Sequence, residues 1–210
     1  MEQLEPIADN IRQTFEEVNT ARDLAYQRSR QLTRVCARSI RAIHREEWDL
    51  AHELMGEARA AAEEMVTGVD EFPELYYAGY TQDALKEYVE ANLTYALVRD
   101  RPLPTPEELN VEDNTWLNGL AEAATELRRR ILDIIRREHA GEVEQLLDKM
   151  DEIYSVLVTF DYSDSITGGL RRRTDILRSV LERTRGDVTT SLRQAALEEA
   201  LETLEQKLSR

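Results

Sequence analysis

The stretch Asp83 to Leu93, DALKEYVEANL, sets Glu87 and Glu90 three residues apart, and NGLAEAATEL sets Glu122 and Glu126 four apart. On a helix, either spacing puts both side chains on one face. Two helices that each turn a pair of carboxylates toward the other could enclose a divalent cation, as metal sites inside helical bundles do. The three histidines, His44, His52 and His139, lie away from both pairs, so the Glu-x-x-His pattern of di-iron proteins is absent. Oxygen-only ligation favours Mg²⁺, or Mn²⁺ in its place, over zinc or iron. Small neighbours at Ala91, Gly119, Ala121, Ala123 and Ala124 would let two such helices approach closely. A plainer reading stays open on the same residues. Lys86 with Glu90 and Glu126 with Arg130 are i,i+4 pairs of a kind common on helix surfaces, worth a few tenths of a kcal/mol. Glu122 and Glu126 also flank, rather than centre, the apolar stripe of Leu120, Leu127, Ile131 and Ile134.

A second pattern is basic. Arg30, Arg34, Arg38, Arg41 and Arg45 fall within an arc of about 80° on one helix, opposite the apolar series Leu4, Ile11, Phe15, Val18, Ala25, Cys36, Ile40 and Ile43. At 1.5 Å per residue the row is about 22 Å long. No Asp or Glu occurs between Asp23 and Glu46, in a chain whose formal charge is −15. Such a row suits a polyanion; it would equally suit the acidic surface of a protein partner. Net charge alone argues against nucleic acid, but local clusters rather than averages decide binding.

Other chemistry is poorly represented. There is no glycine-rich phosphate loop, no Gly-x-Ser-x-Gly and no Cys/His cluster. Cys36 is the single cysteine; it permits no internal disulfide, fits a reducing cytoplasm and reads as a small apolar residue. GGLRRRTD (Gly168 to Asp175) looks like an anion-binding helix start, but Arg171 to Arg173 point to different faces, which suits solvent or an interface.

The elements that must position these residues are helical. The pattern predicts helices over about Leu4 to His44, Glu47 to Thr67, Thr81 to Arg99, VEDNTW onward to His139, Glu142 to Phe160, and from Leu170 toward the C-terminus with an interruption at Gly186. TGVDEFP, RDRPLPTPEELN and DYSDSITGG are the breaks, with Pro106 suited to the first turn of a short helix. No period of 20–50 residues repeats. The expectation is an all-α, single-domain bundle of about seven helices spanning residues 1–210. Hydrophobic content of 41% with 33% charged residues, 8 Gly and 5 Pro fits that class. No apolar run approaches the roughly 20 residues that cross a bilayer, and MEQLEPIADN lacks a signal core, so a cytoplasmic, membrane-free protein is expected.

The order of these features resembles the translin/TRAX family. LKEYVEA (Leu85 to Ala91), VEDNTWLNGLAEAATEL (Val111 to Leu127), AGEVEQLLDKMDEIYSVLVTFDY and LRRRTDILRSVLERTRGDV carry the similarity, in the family's order and over most of the chain. The resemblance implies a seven-helix fold, assembly into ring- or shell-like octamers, a homo-oligomer being expected for this chain, and binding of single-stranded RNA and DNA. TRAX-type subunits are metal-dependent endoribonucleases whose carboxylates come from two helices. Glu87 and Glu90 match the two ends of the EYVE motif; Glu122 stands where TRAX has Asp, and Glu126 matches the Glu four residues on. The implied site is Mg²⁺ (or Mn²⁺) held by Glu87, Glu90, Glu122 and Glu126. Translin-type subunits mainly bind nucleic acid, through a basic, histidine-containing segment after paired tyrosines. After Tyr76 and Tyr77 this chain reads Ala78, Gly79, Tyr80, Thr81, Gln82, so the row from Arg30 to Arg45 is the candidate replacement.

Overall fold

The computed structural model describes residues 3–136 and 140–208. Its elements are α1 (Leu4–His44), α2 (Trp48–Thr67), α3 (Pro73–Tyr76), α4 (Gly79–Val98), α5 (Pro106–Leu109), α6 (Asp113–Ile135), α7 (Ala140–Leu157), α8 (Asp164–Thr167) and α9 (Leu170–Leu208), with no strand among the described residues. The all-α expectation holds. Three of these helices, α3, α5 and α8, are four-residue turns. The remaining six match the predicted stretches closely at their starts. α5 begins at Pro106, whose fixed φ suits a first turn, and is closed by a capping box between Thr105 and Glu108. The expected run of the α6 helix to His139 lies partly outside the described residues.

The chain divides into two compact units, Met1–Asn92 with Pro104–Gly119, and Leu93–Leu103 with Leu120–Arg210; α4 and α6 each contribute to both. In the first unit α1 and α2 form an antiparallel hairpin, reversing through Arg45, Glu46 (φ 61°) and Glu47. Ala51, Leu54, Ala58, Ala61, Ala62 and Met65 turn inward on α2, and the alanines let α1 lie close. Arg28 Nε meets Glu64 Oε1 at 3.0 Å and Arg38 meets Glu57 at 3.8 Å across this pair. From Ala25 onward the predicted apolar series of α1 is buried, but Leu4, Ile7, Ile11 and Phe15 are exposed by 46–68%. A small aromatic cluster seals the other end: Ala25, Val69 and Leu75, with Val18, Ala21, Phe72, Tyr76 and Tyr80 packed on them.

In the second unit α9 packs on α7 and α8. Leu127, Ile131, Met150, Leu157, Leu177 and Leu181 are fully buried there. Polar ties cross the same packing. Arg128 reaches Asp187 at 2.8 Å and Thr184 Oγ1 at 3.0 Å, and Arg130 reaches Glu142 Oε1 at 2.8 Å. The predicted interruption at Gly186 does not occur; α9 continues unbroken through it. A helical glycine costs only about 1 kcal/mol relative to alanine. Its neighbours Arg185 and Asp187 are both tied to other helices, Arg185 to Asp151 and Asp187 to Arg128.

Candidate metal centre and arginine row

α4 is buried nearly all round: Ala84, Leu85, Tyr88, Val89, Ala91 and Leu93 are each at most 3% exposed. A helix apolar on every side belongs in a core, and this one carries charge into it. Lys86 and Glu90 are each 8% exposed. Burying a carboxylate costs several kcal/mol unless cations or hydrogen bonds meet it.

The approach of α6 to α4 is set by one missing side chain. A Cβ added at Gly119 would fall 2.5 Å from Val89 Cγ1, 2.7 Å from Val89 Cβ and 3.1 Å from the Lys86 carbonyl oxygen. Only glycine lets the backbones come this near. Glu122 follows Gly119 by just under one turn, with Ala121, Ala123 and Ala124 buried around it. As a result Glu87, Glu90 and Glu122 each offer a carboxylate oxygen within 4.8 Å of the others. Three of the four predicted ligands therefore come together. Glu126, half-buried on α6, is not in this group; it sits about 6 Å farther along the helix axis than Glu122.

Cations meet Glu87 and Glu122. Lys86 Nζ lies 3.2 Å from Glu87 Oε1. Arg173, at the start of α9, donates from Nε to Glu122 Oε1 at 2.9 Å and from Nη1 to the Gly168 carbonyl at 3.3 Å. The sequence pattern points Arg173 to solvent or an interface, and the structure turns it inward instead. The residue that reveals its direction is Thr174, buried with Leu170 and Leu177, which puts Arg173 at the edge of the inward face. Cys36 is 0% exposed. Burial first, and then the charges of Glu87 and Glu90, push its thiol far above the usual cysteine range. It stays protonated and is a poor ligand, so the donor set is carboxylate only. This carboxylate cluster could bind a metal ion.

The arginine row is where the spacing placed it. Arg30, Arg34, Arg38 and Arg41 are exposed on α1 and Arg45 at its C-cap, while Leu32, Val35, Cys36 and Ile43 are buried on the helix's other side. Arg34 Nε donates to the Arg30 carbonyl at 3.2 Å, and Arg38 is drawn loosely toward Glu57. No helix among the described residues is long and apolar enough to cross a membrane.

No protein-family model matches the chain. An uncharacterized protein of Methanocaldococcus jannaschii is 33% identical over 184 residues, 86% of this chain and 81% of that protein. The structure of AfC3PO in a duplex RNA complex superposes with a TM-score of 0.80 at 30% identity, covering 88% of this chain and 95% of that one. AfC3PO crystallised in a second structure gives the same TM-score at 28% identity. Apo-NeC3PO, at 19% identity and a TM-score of 0.80, shares the fold.

Proposed function

The chain belongs to the translin/TRAX family, and from that premise we propose that it is an RNA-binding, metal-dependent endoribonuclease. The observation that carries this reading is the convergence of Glu87, Glu90 and Glu122 within 4.8 Å on two helices that Gly119 allows to touch. AfC3PO, 30% identical over nearly its whole length, has been solved with duplex RNA.

In this reading Glu87, Glu90 and Glu122 hold Mg²⁺, or Mn²⁺ in its place. A divalent ion bound by them supplies Lewis acidity, lowering the pKa of water and polarising the phosphate. The chain's own residues do the rest. Arg30, Arg34, Arg38, Arg41 and Arg45 grip the sugar–phosphate backbone of single-stranded RNA, or single-stranded DNA, with little base preference and steep salt dependence. Lys86 and Arg173 orient Glu87 and Glu122. Glu126, outside the oxygen cluster and one turn from Glu122, accepts a proton from the attacking water. Hydrolysis by water leaves 5′-phosphate products; 2′,3′-cyclic phosphates would rule this mechanism out. The working form is a homo-oligomer, an octamer on the family pattern, supported by the apolar rows that α1 and α9 leave exposed, among them Phe15 and Leu197.

The pairing of Glu87 with Lys86 and of Glu122 with Arg173 favours a second reading, in which the carboxylates are structural and the protein binds nucleic acid without cutting it. Single-stranded RNA incubated with Mg²⁺, with EDTA, and with Glu90→Gln separates the two. Cleavage abolished by both EDTA and the variant supports the nuclease. Undiminished binding with no cleavage in any condition refutes it and selects the second reading.

A further inference from the structure

We propose that Tyr26 is a stacking platform for an unpaired base, set at the N-terminal end of the arginine row. The proposal rests on the reading of that row as a backbone-binding surface and adds to it a means of telling single strand from duplex. Tyr26 precedes Arg30 by four residues, so the two side chains are neighbours on α1, about 6 Å apart along its axis. The residue is 48% exposed. Tyr80 holds it in place, with ring centroids 5.7 Å apart and planes at 83°. Tyr80 is itself packed against the cluster of Ala25, Val69 and Leu75. An edge-to-face contact covers at most one face of a ring, so Tyr26 is braced and still keeps a face available. Asp23, the acidic residue a turn earlier, is paired with Arg22 at 2.9 Å and does not oppose a polyanion there.

The chemistry of the pair Tyr26–Arg30 divides the work. Guanidinium groups neutralise phosphates whether or not the bases are paired. An aromatic face can take only a base that is free to leave its stack, and every base has such a face. A row of arginines alone would bind duplex and single strand by charge density; the same row ending on a braced tyrosine adds affinity for the unpaired strand only. A preformed orientation reduces the ordering cost of binding.

The test is fluorescence anisotropy with a labelled single-stranded oligouridylate, the same strand carrying abasic sites, and an RNA duplex of equal length, across a salt series. Tyr26→Ala should weaken single-strand binding by about 5- to 150-fold, as removing the partner of one stacked base does. Duplex and abasic binding should change by less than about twofold, and the salt slope should hold. Tyr26→Phe should keep wild-type affinity, because only the ring face is used. Arg34→Gln with Arg41→Gln should weaken all three ligands and flatten the salt slope by about 0.7 for each phosphate of the single strand that is no longer neutralised. Equal weakening on single strand and duplex for Tyr26→Ala, or none on the single strand, would overturn the platform while the arginine arm still held. An arginine pair without effect would overturn the row, and the platform with it.

Discussion

Replacing Gly119 by alanine should destabilise the protein, although alanine is the better helix former. The new Cβ would stand 2.5 and 2.7 Å from two carbons of Val89 and 3.1 Å from the Lys86 carbonyl oxygen. Overpacking of this kind costs about 1–3 kcal/mol. Val89 is β-branched and 0% exposed, so its Cβ cannot rotate away and the upper half of that range applies. Against it stands the helix-propensity gain of about 1 kcal/mol. The net is a loss of about 1–2 kcal/mol, or roughly 2–8 °C in Tm for a chain of this size. Gly56 and Gly186 supply the opposite sign. Both are helical with nothing within 4 Å of the added Cβ, so alanine at either should raise stability by about 0.5–1 kcal/mol. Thermal melts of the three variants side by side decide the matter. In the metal-site reading, the wedge would push α6 from α4, so Gly119→Ala should also weaken Mg²⁺ or Mn²⁺ binding in isothermal titration. A Gly119→Ala protein that melts higher than wild type would refute the account of the helix packing on which the carboxylate cluster depends.

Other outcomes follow from single interactions. Tyr76 donates to Glu112 Oε1 at 3.2 Å, and burial, then the Glu112 charge, raise its pKa to about 12. The unfolded chain releases this proton near pH 10 while the folded one keeps it, so its stabilisation is complete below about pH 10 and is lost as pH rises toward 12; urea melts at pH 9 to 11.5 should show a flatter decline for Tyr76→Phe. Arg130, 9% exposed, holds Glu142 at 2.8 Å; Arg130→Met should cost about 1.5–3 kcal/mol in urea unfolding, the range for hydrogen bonds to charged groups. Arg173→Met removes the cation beside Glu122 while keeping the stem, and in the nuclease reading it should raise the half-maximal Mg²⁺ concentration for cleavage by about 10- to 100-fold without abolishing RNA binding; loss of binding in anisotropy would place Arg173 on the RNA instead.

Much of this architecture could be read in advance because it rests on local pattern. The breaks at TGVDEFP and RDRPLPTPEELN, the exposed face from Arg30 to Arg45, and the shared face of Glu87 and Glu90 all follow from helical period and from proline. Gly119 and its alanine neighbours were legible as a close approach for the same reason. What escaped was tertiary. Gly186 has the local mark of a stop, and it is overruled by ties on Arg185 and Asp187 that bind α9 to other helices. Arg173 meets Glu122 across 51 residues of chain, a pairing with no local trace. The apolar series of α1 is continuous in sequence, yet only its later part finds neighbours in the same chain. Glu122 and Glu126 share a face by spacing, but α4 concentrates its two carboxylates within one turn, and only the nearer α6 residue reaches them.

The burial of α4 on every side has a consequence for how the carboxylates can be lost. Amides of such a helix trade protons for deuterium only when the molecule opens as a whole, whereas the exposed outer turns of α1 and α9 exchange by fraying. Glu87 and Glu90 therefore ride on a stretch that should exchange slowly. A variant weakened elsewhere should keep the placement of these two carboxylates at full strength up to the melting transition and then forfeit it in a single step, with no gradual erosion on the way.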